Sequence, residues 1–159
     1  LLADAMNEKA VMKVLLIKGR KQGKPLPIFV KDIAMAKRFA TVLPLQEKYM
    51  KKVWPGKVTL VLESKGKLSK ETGTQEHIGL RIPKYELAGR ILKETGLPLV
   101  GTSANLAGRP PLLSGKGVKD EFQKRKYQPD LLLDAGKLAR SRPSRVLDIT
   151  AAKPKVLRK

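Results

Sequence analysis

Apolar residues at Ala10, Val11, Val14 and Leu15 within "NEKAVMKVLLIK" (7–18) recur at spacings of three and four, which predicts one buried helical face. Asn7 stands where an N-cap belongs and Gly19 where a helix stops. "PLPIFV" (25–30) reads as a strand and "DIAMAKRFA" as a helix with Asp32 near its start. "LQEKYMKKV" predicts another helix, closed by the "WPG" turn at 54–56. "KVTLVLE" (57–63) and "HIGLRIP" (77–83) are apolar and β-branched between loops rich in Gly, Ser and Lys, so both predict strands. "KYELAGRILKET" puts Leu87, Ile91 and Leu92 on one helical face, and "LPLVGT" returns as a strand. Beyond it "RPPLLSGKG" reads as loop and "VKDEFQKRK" as a short helix, while "PDLLLDAG", "RVLDIT" and "KVLR" make three short strand candidates.

Helices and strands mix along the whole chain with no repeat and no long linker, which predicts a single α/β domain. The 159 residues, 42% hydrophobic, suit one domain with a real core. Leu1 and Leu2 open on an apolar stretch with nothing before it, so the domain is expected to be N-terminally truncated. No run approaches the ~20 apolar residues of a membrane span, and "LLADAMNEKA" lacks the basic start and apolar centre of a secretion signal, so a cytoplasmic protein without membrane contact is expected. The absence of cysteine and the single His77 argue against disulfides and a resident metal.

With 34 Lys+Arg against 14 Asp+Glu the formal charge is +20, which attracts nucleic acid or phosphorylated ligands. The basic residues are spread out, the longest block being "KRK" at 124–126, so solvated lysine faces account for much of it. Aromatics are 4% and do not interleave with the cations, which disfavours a single-strand reader.

"GRKQGKP" (19–25) fails as a phosphate loop: it is one residue short between glycines, has Pro25 where a hydroxyl should meet magnesium, and follows a helix. It still gathers Lys18, Arg20, Lys21 and Lys24 around a tight turn, which suits a polyphosphate, although one or two such cations would merely complement a helix C-terminus. A nucleophilic triad finds no support, for there is no G-x-S-x-G elbow. "VGTSANLAG" (100–108) is either a helix cap or a ligand loop. Gly108, Pro110 and Pro111 leave room for one helical turn, and the motif follows a strand end, where α/β sheets bind ligands. Its hydroxyls and amide can bond phosphate or amino-acid groups without adding charge. Arg81 and Ser144, near other strand ends, are expected to converge on the same edge, a surface ion pair being the ordinary alternative for Arg81.

In order, "IKGRKQGKPLPIFV", "WPGKVTLVLE", "IGLRIP", "LPLVGTSANLAGRPP", "PSRVLDIT" and "KVLRK" resemble the YrdC-like family from residue 1 to the C-terminus. The resemblance implies a single-domain twisted sheet of mixed strand direction with flanking helices, here without its N-terminal strands, and a concave, positively charged face. It implies threonylcarbamoyl-AMP synthase activity on ATP, L-threonine and bicarbonate, for threonylcarbamoyladenosine in tRNA, with Mg2+ entering on the ATP. By motif, Lys18 and Arg20 become the catalytic basic pair, with Arg20, Lys24, His77, Ser103, Asn105 and Arg158 toward ATP. Phe29, Arg81, Thr102 and Ser144 fall to the threonine, with Gly101 beside it. Trp54 and Pro55 go to the turn and core. The implied partners are the downstream threonylcarbamoyl-transferase complex and tRNA or double-stranded RNA.

Two departures stand out. The family's Thr-Val-Tyr-Gly segment, expected just before Leu1, is absent, and Arg145 replaces a small hydroxyl residue, which predicts a crowded threonine pocket or an added phosphate contact. A basic RNA-binding paralogue without synthase activity is the alternative reading; the YrdC-like domain of a hydrogenase-maturation carbamoyltransferase is disfavoured by the lack of zinc-finger cysteines.

Overall fold

In the computed structural model, which describes residues 1–20, 23, 25–72, 76–151 and 153–159, the first apolar stripe folds as α1 (Glu8–Lys18) and buries Val11, Val14 and Leu15. Asn7 Oδ1 accepts from the Ala10 amide at 3.2 Å. Gly19 ends the helix at φ 57°, a left-handed conformation that glycine adopts without a Cβ clash. Helix α2 (Ile33–Phe39) is capped by Asp32, whose Oδ1 accepts from the Met35 amide at 2.6 Å. Helix α3 (Pro44–Val53) starts on a proline, whose missing N–H would have no helical partner there, and Gln46 Oε1 accepts from the Leu43 amide at 2.8 Å. In α4 (Glu86–Thr95) the stripe of Leu87, Ala88, Ile91 and Leu92 turns inward.

Helix α5 (Gly115–Phe122) starts and ends earlier than the pattern predicts, because Ser114 Oγ accepts from the Gly117 amide at 3.2 Å and draws "GKG" into the first turn.

The strands are β1 (Leu2–Asp4), β2 (Ile28–Phe29), β3 (Val58–Glu63), β4 (His77–Arg81), β5 (Leu99–Gly101), β6 (Arg145–Asp148) and β7 (Lys155–Arg158). They form one sheet in the order β1-β5-β2-β4-β3-β6-β7. β2 runs parallel to β4 and β3 to β6, and the other pairs are antiparallel. The fold is therefore a single-domain α/β structure with a mixed seven-stranded sheet and five helices.

Because side chains alternate across a strand, Ile28, Leu60, Leu62, Ile78, Leu80, Val100 and Leu147 share one face and form the core with Val11, Met35, Phe39 and Met50 from the helices. The other face carries Phe29, Thr59, Arg81 and Gly101.

Three expectations are corrected. "PLPIFV" shrinks to Ile28–Phe29, since Pro25 and Pro27 cannot donate to a ladder. "PDLLLDAG" is not a strand: Leu131, Leu132 and Leu133 are 75%, 42% and 54% exposed. Asp134 Oδ1 there accepts from the Gly136 amide at 2.9 Å, a local turn that competes with strand pairing. Leu2 to Asp4, read only as an apolar opening, pair with β5.

Candidate active site

One row of register neighbours crosses the face opposite the core. Leu99 pairs with Phe29, and Phe29 with Arg81. One step along the β3/β4 register from Leu60 and Leu80 sets Thr59 opposite Arg81. Thr59 then pairs with Val146, and Val146 with Arg158. Ser144, just before β6, reaches back into this row, its Oγ 3.1 Å from Thr59 Oγ1. Arg158 Nε and Nη2 donate to the Ser144 carbonyl at 3.0 and 2.7 Å, and Nη2 also donates to Ser144 Oγ at 3.0 Å.

Arg81 is half-buried, with its guanidinium 5.5 Å from the centre of the Phe29 ring. Its Nε donates to the Gly56 carbonyl at 2.8 Å, and its outer nitrogens have no hydrogen-bond partner among the described residues. Burial first, and then the charge of Arg158, lowers the Arg81 pKa from its ordinary value. No carboxylate pairs with Arg81 or Arg158 among the described residues. Two cations that repel each other across hydroxyl groups form a slot for an anion. A methyl placed on Gly101 would meet the Phe29 ring at 2.5 Å, so the tip of the ring occupies space that only glycine leaves.

The second cluster lies at the other end of the face. β5 runs antiparallel to β2, and β2 parallel to β4, so the carboxyl ends of β5 and β4 point in opposite directions. The expectation that "GTSAN", Arg81 and Ser144 meet on one edge is thus corrected: Arg81 and Ser144 share an edge, while Thr102 and Ser103 leave toward the His77 end of β4. Four residues of strand, roughly 13 Å, separate His77 from Arg81.

Here Lys18 Nζ donates to the carbonyls of Ser103 at 2.7 Å and Asn105 at 3.0 Å, and to Asn105 Oδ1 at 3.2 Å. Burial, then the nearby Arg20 charge, lowers the Lys18 pKa. Asn105 Nδ2 donates to the carbonyls of Leu106 at 2.8 Å and Arg109 at 2.6 Å. No helix follows within 102–113, so the motif caps nothing. Ser103 is exposed and its hydroxyl has no partner among the described residues. Thr102 is half-buried, and its amide donates to the Leu1 carbonyl at 3.0 Å.

Arg20 Nη2 donates to the Pro25 carbonyl at 3.3 Å, while its buried Nε has no partner among the described residues. Burial lowers its pKa. Lys24 and Lys21 lie outside the described residues. His77 lines a cleft of about 460 Å³ with Thr41, Leu43, Gln46, Ser64 and Thr150 and the carboxylates of Glu63 and Glu76. Trp54 is buried and its Nε1 donates to the Val58 carbonyl at 2.8 Å, in keeping with a role in the turn and core. Arg145 is exposed and alternates onto the face of Leu147, away from Thr59, so it neither crowds the row nor joins it. Sequence reading missed Thr59 and Gly56; only the register and the fold around the "WPG" turn bring them to Ser144 and Arg81.

No helix among the described residues is long and apolar enough to cross a membrane. A Methanocaldococcus jannaschii protein is 35% identical over 148 residues, 92% of this chain and 68% of its own length. The Bacillus subtilis threonylcarbamoyl-AMP synthase is 35% identical over 126 residues, 77% of this chain and 36% of its own. The fold matches Pyrococcus abyssi Sua5 complexed with L-threonine at a TM-score of 0.87 and 29% identity, covering 99% of this chain and 46% of that one. The chain thus spans between about a third and two thirds of the length of these relatives. The family profile described as "Telomere recombination" matches residues 1–159, and on that match the chain belongs to the Sua5/YciO/YrdC family.

Proposed function

We propose that the protein carrying this chain is a threonylcarbamoyl-AMP synthase, which joins L-threonine, bicarbonate and ATP into threonylcarbamoyl-AMP and pyrophosphate. The observation that carries this reading is the row of Arg81, Thr59, Ser144 and Arg158 beside Phe29, two cations with no carboxylate partner among the described residues, across a pair of hydroxyls. Such a slot suits the carboxylate of an amino acid, with Phe29 beside it. ATP then lies toward Arg20, Lys24, Ser103 and His77, while Arg158, bonded to Ser144, stays with the carboxylate slot and not with ATP as expected from the resemblance.

In this reading the threonine amine bonds to the bicarbonate carbon with loss of water to give N-carboxythreonine, and an oxygen of that new carbamate, not of the α-carboxylate held in the slot, attacks the α-phosphorus. The bond from that phosphorus to the bridging oxygen breaks, and pyrophosphate leaves with the electron pair. No protein nucleophile is needed; the gain comes from aligning two anions and stabilising charge on the phosphates. Lys18 holds Ser103 and Asn105 in place. The donors on this face, guanidinium groups and hydroxyls, fit anions and not a resident cation, so magnesium is read as arriving on the ATP phosphates. Use of the product on tRNA, through a separate threonylcarbamoyl-transferase complex in the cytoplasm, follows from this reading, and the charge of +20 supports direct contact with RNA.

The test is pyrophosphate release by the whole protein supplied with ATP, bicarbonate and magnesium. Release that requires L-threonine is the expected result; release without threonine, or none, overturns the reading.

A further inference from the structure

We infer that Thr59 is a positioning residue that fixes the direction of the Ser144 hydroxyl proton and so makes Ser144 a donor to the amino-acid carboxylate. This rests on the synthase reading above. Thr59 is 3% exposed and Ser144 8%, so water does not decide their hydrogen bonding. Arg158 Nη2 donates to Ser144 Oγ at 3.0 Å, and a guanidinium cannot accept in return. One of the two acceptor positions on Ser144 Oγ is therefore filled.

The 3.1 Å contact with Thr59 can run either way. If Ser144 donates to Thr59, its proton is used up and it has only a lone pair for the ligand. If Thr59 donates, both acceptor positions on Ser144 are filled and its proton points out of the pair. An anion between Arg81 and Arg158 favours the second arrangement, which aims the free proton at a negative oxygen.

The Thr59 side chain is held for this task. A methyl on Gly79 would lie 3.2 Å from Thr59 Cγ2, so the Thr59 methyl rests over a glycine while its hydroxyl faces Ser144. β-Branching restricts χ1, and the hydrogen bond to Ser144 keeps the hydroxyl on that side.

The test compares equilibrium binding of L-threonine and of L-threoninol, in which the carboxylate is replaced by an alcohol, to the whole protein and to Thr59→Val and Thr59→Ser. Wild type should prefer threonine. Thr59→Val should weaken threonine binding about tenfold, as loss of one charge-assisted hydrogen bond would, with threoninol binding within about twofold; Thr59→Ser should restore the preference. Thr59→Ala replaces the valine variant if that variant does not show a wild-type thermal melt. Unchanged threonine binding overturns the inference, as does equal weakening for both ligands or a loss that serine fails to restore. Threonine binding without pyrophosphate release overturns the synthase reading and leaves the Thr59 comparison intact, whereas no threonine binding by wild type overturns both.

Discussion

Lys18, the last residue of α1, and Asn105, in the loop after β5, are joined twice, through the Asn105 carbonyl at 3.0 Å and its side-chain Oδ1 at 3.2 Å. With the Ser103 bond at 2.7 Å, all three protons of the ammonium are spent inside the protein. The lysine therefore acts on the site by fastening a loop. Replacing it with methionine keeps the stem and leaves three acceptors without their donor. Lys18→Met is expected to lower stability by about 1–3 kcal/mol, seen in chemical denaturation, and to reduce threonine-dependent pyrophosphate release at least tenfold. A variant as stable as wild type would show that the loop does not depend on this lysine.

Ser103 and Asn105 stand two residues apart but differ in kind. Asn105 is buried and uses both ends of its amide, whereas Ser103 is exposed with an unengaged hydroxyl. Ser103→Ala should thus keep the wild-type melting temperature and lose activity. Asn105→Ala should lose both, by several degrees and most of the turnover. Thermal melts beside the pyrophosphate assay decide it; equal melting temperatures for the two variants would contradict the division.

Local chemistry was legible in the sequence where one residue decides it. Asn7 and Asp32 announce helices, and Gly19 ends one, because a cap is a contact over three or four residues. The loop at 129–136 was misread because three consecutive leucines look like a buried strand, and nothing local shows that they stay exposed. The site was legible as residue types and illegible as an arrangement. Arg81, Ser144 and Ser103 could be picked out, but their division between two ends of one face depends on β5 running antiparallel to β2. Thr59 had no signal at all, since a threonine in "KVTLVLE" reads as an ordinary strand residue.

Glu47 ties α2 to α3 through Lys37 at 2.5 Å and accepts from Lys51 at 3.0 Å along its own helix. Hydrogen bonds from Lys37 first and Lys51 second lower its pKa from the ordinary 4.5. A carboxylate whose folded pKa is depressed adds stability above the unfolded value and loses it as pH falls through the folded one. Glu47→Gln should therefore be less stable than wild type at pH 7, with the gap closing below pH 4.5. Urea midpoints across that range check it; a gap constant with pH would mean that the charge plays no part.

Gly101 and Phe29 form the floor beneath Arg81. The three nearest ring atoms, Cε1, Cε2 and Cζ, lie 2.5–2.7 Å from the added methyl, well inside contact distance, so Gly101→Ala must displace the ring. The φ of Gly101 is not positive, so the penalty is steric and not conformational. Overpacking of this sort costs about 1–3 kcal/mol. Threonine affinity should fall about tenfold, on the scale of one lost charged hydrogen bond, measured by equilibrium binding beside a thermal melt. Threonine affinity unchanged from wild type would show that the ring does not support Arg81.

Arg145 gives the sharpest contrast between residue type and placement. By sequence position it sits next to Ser144, and a long cation there reads as an intruder in the amino-acid pocket. The strand decides otherwise: Arg145 pairs with Val58 while its amide donates to the Lys57 carbonyl at 3.0 Å, and alternation turns its side chain to the face of Leu147. Arg145 is exposed and has no ion-pair partner among the described residues, and such a side chain contributes little, within about 0.5 kcal/mol. Arg145→Ser should leave the threonine KM, the ATP KM and the melting temperature at wild-type values. A lower threonine KM in this variant would mean that the arginine does reach the pocket, and that β6 presents the opposite face to the ligand.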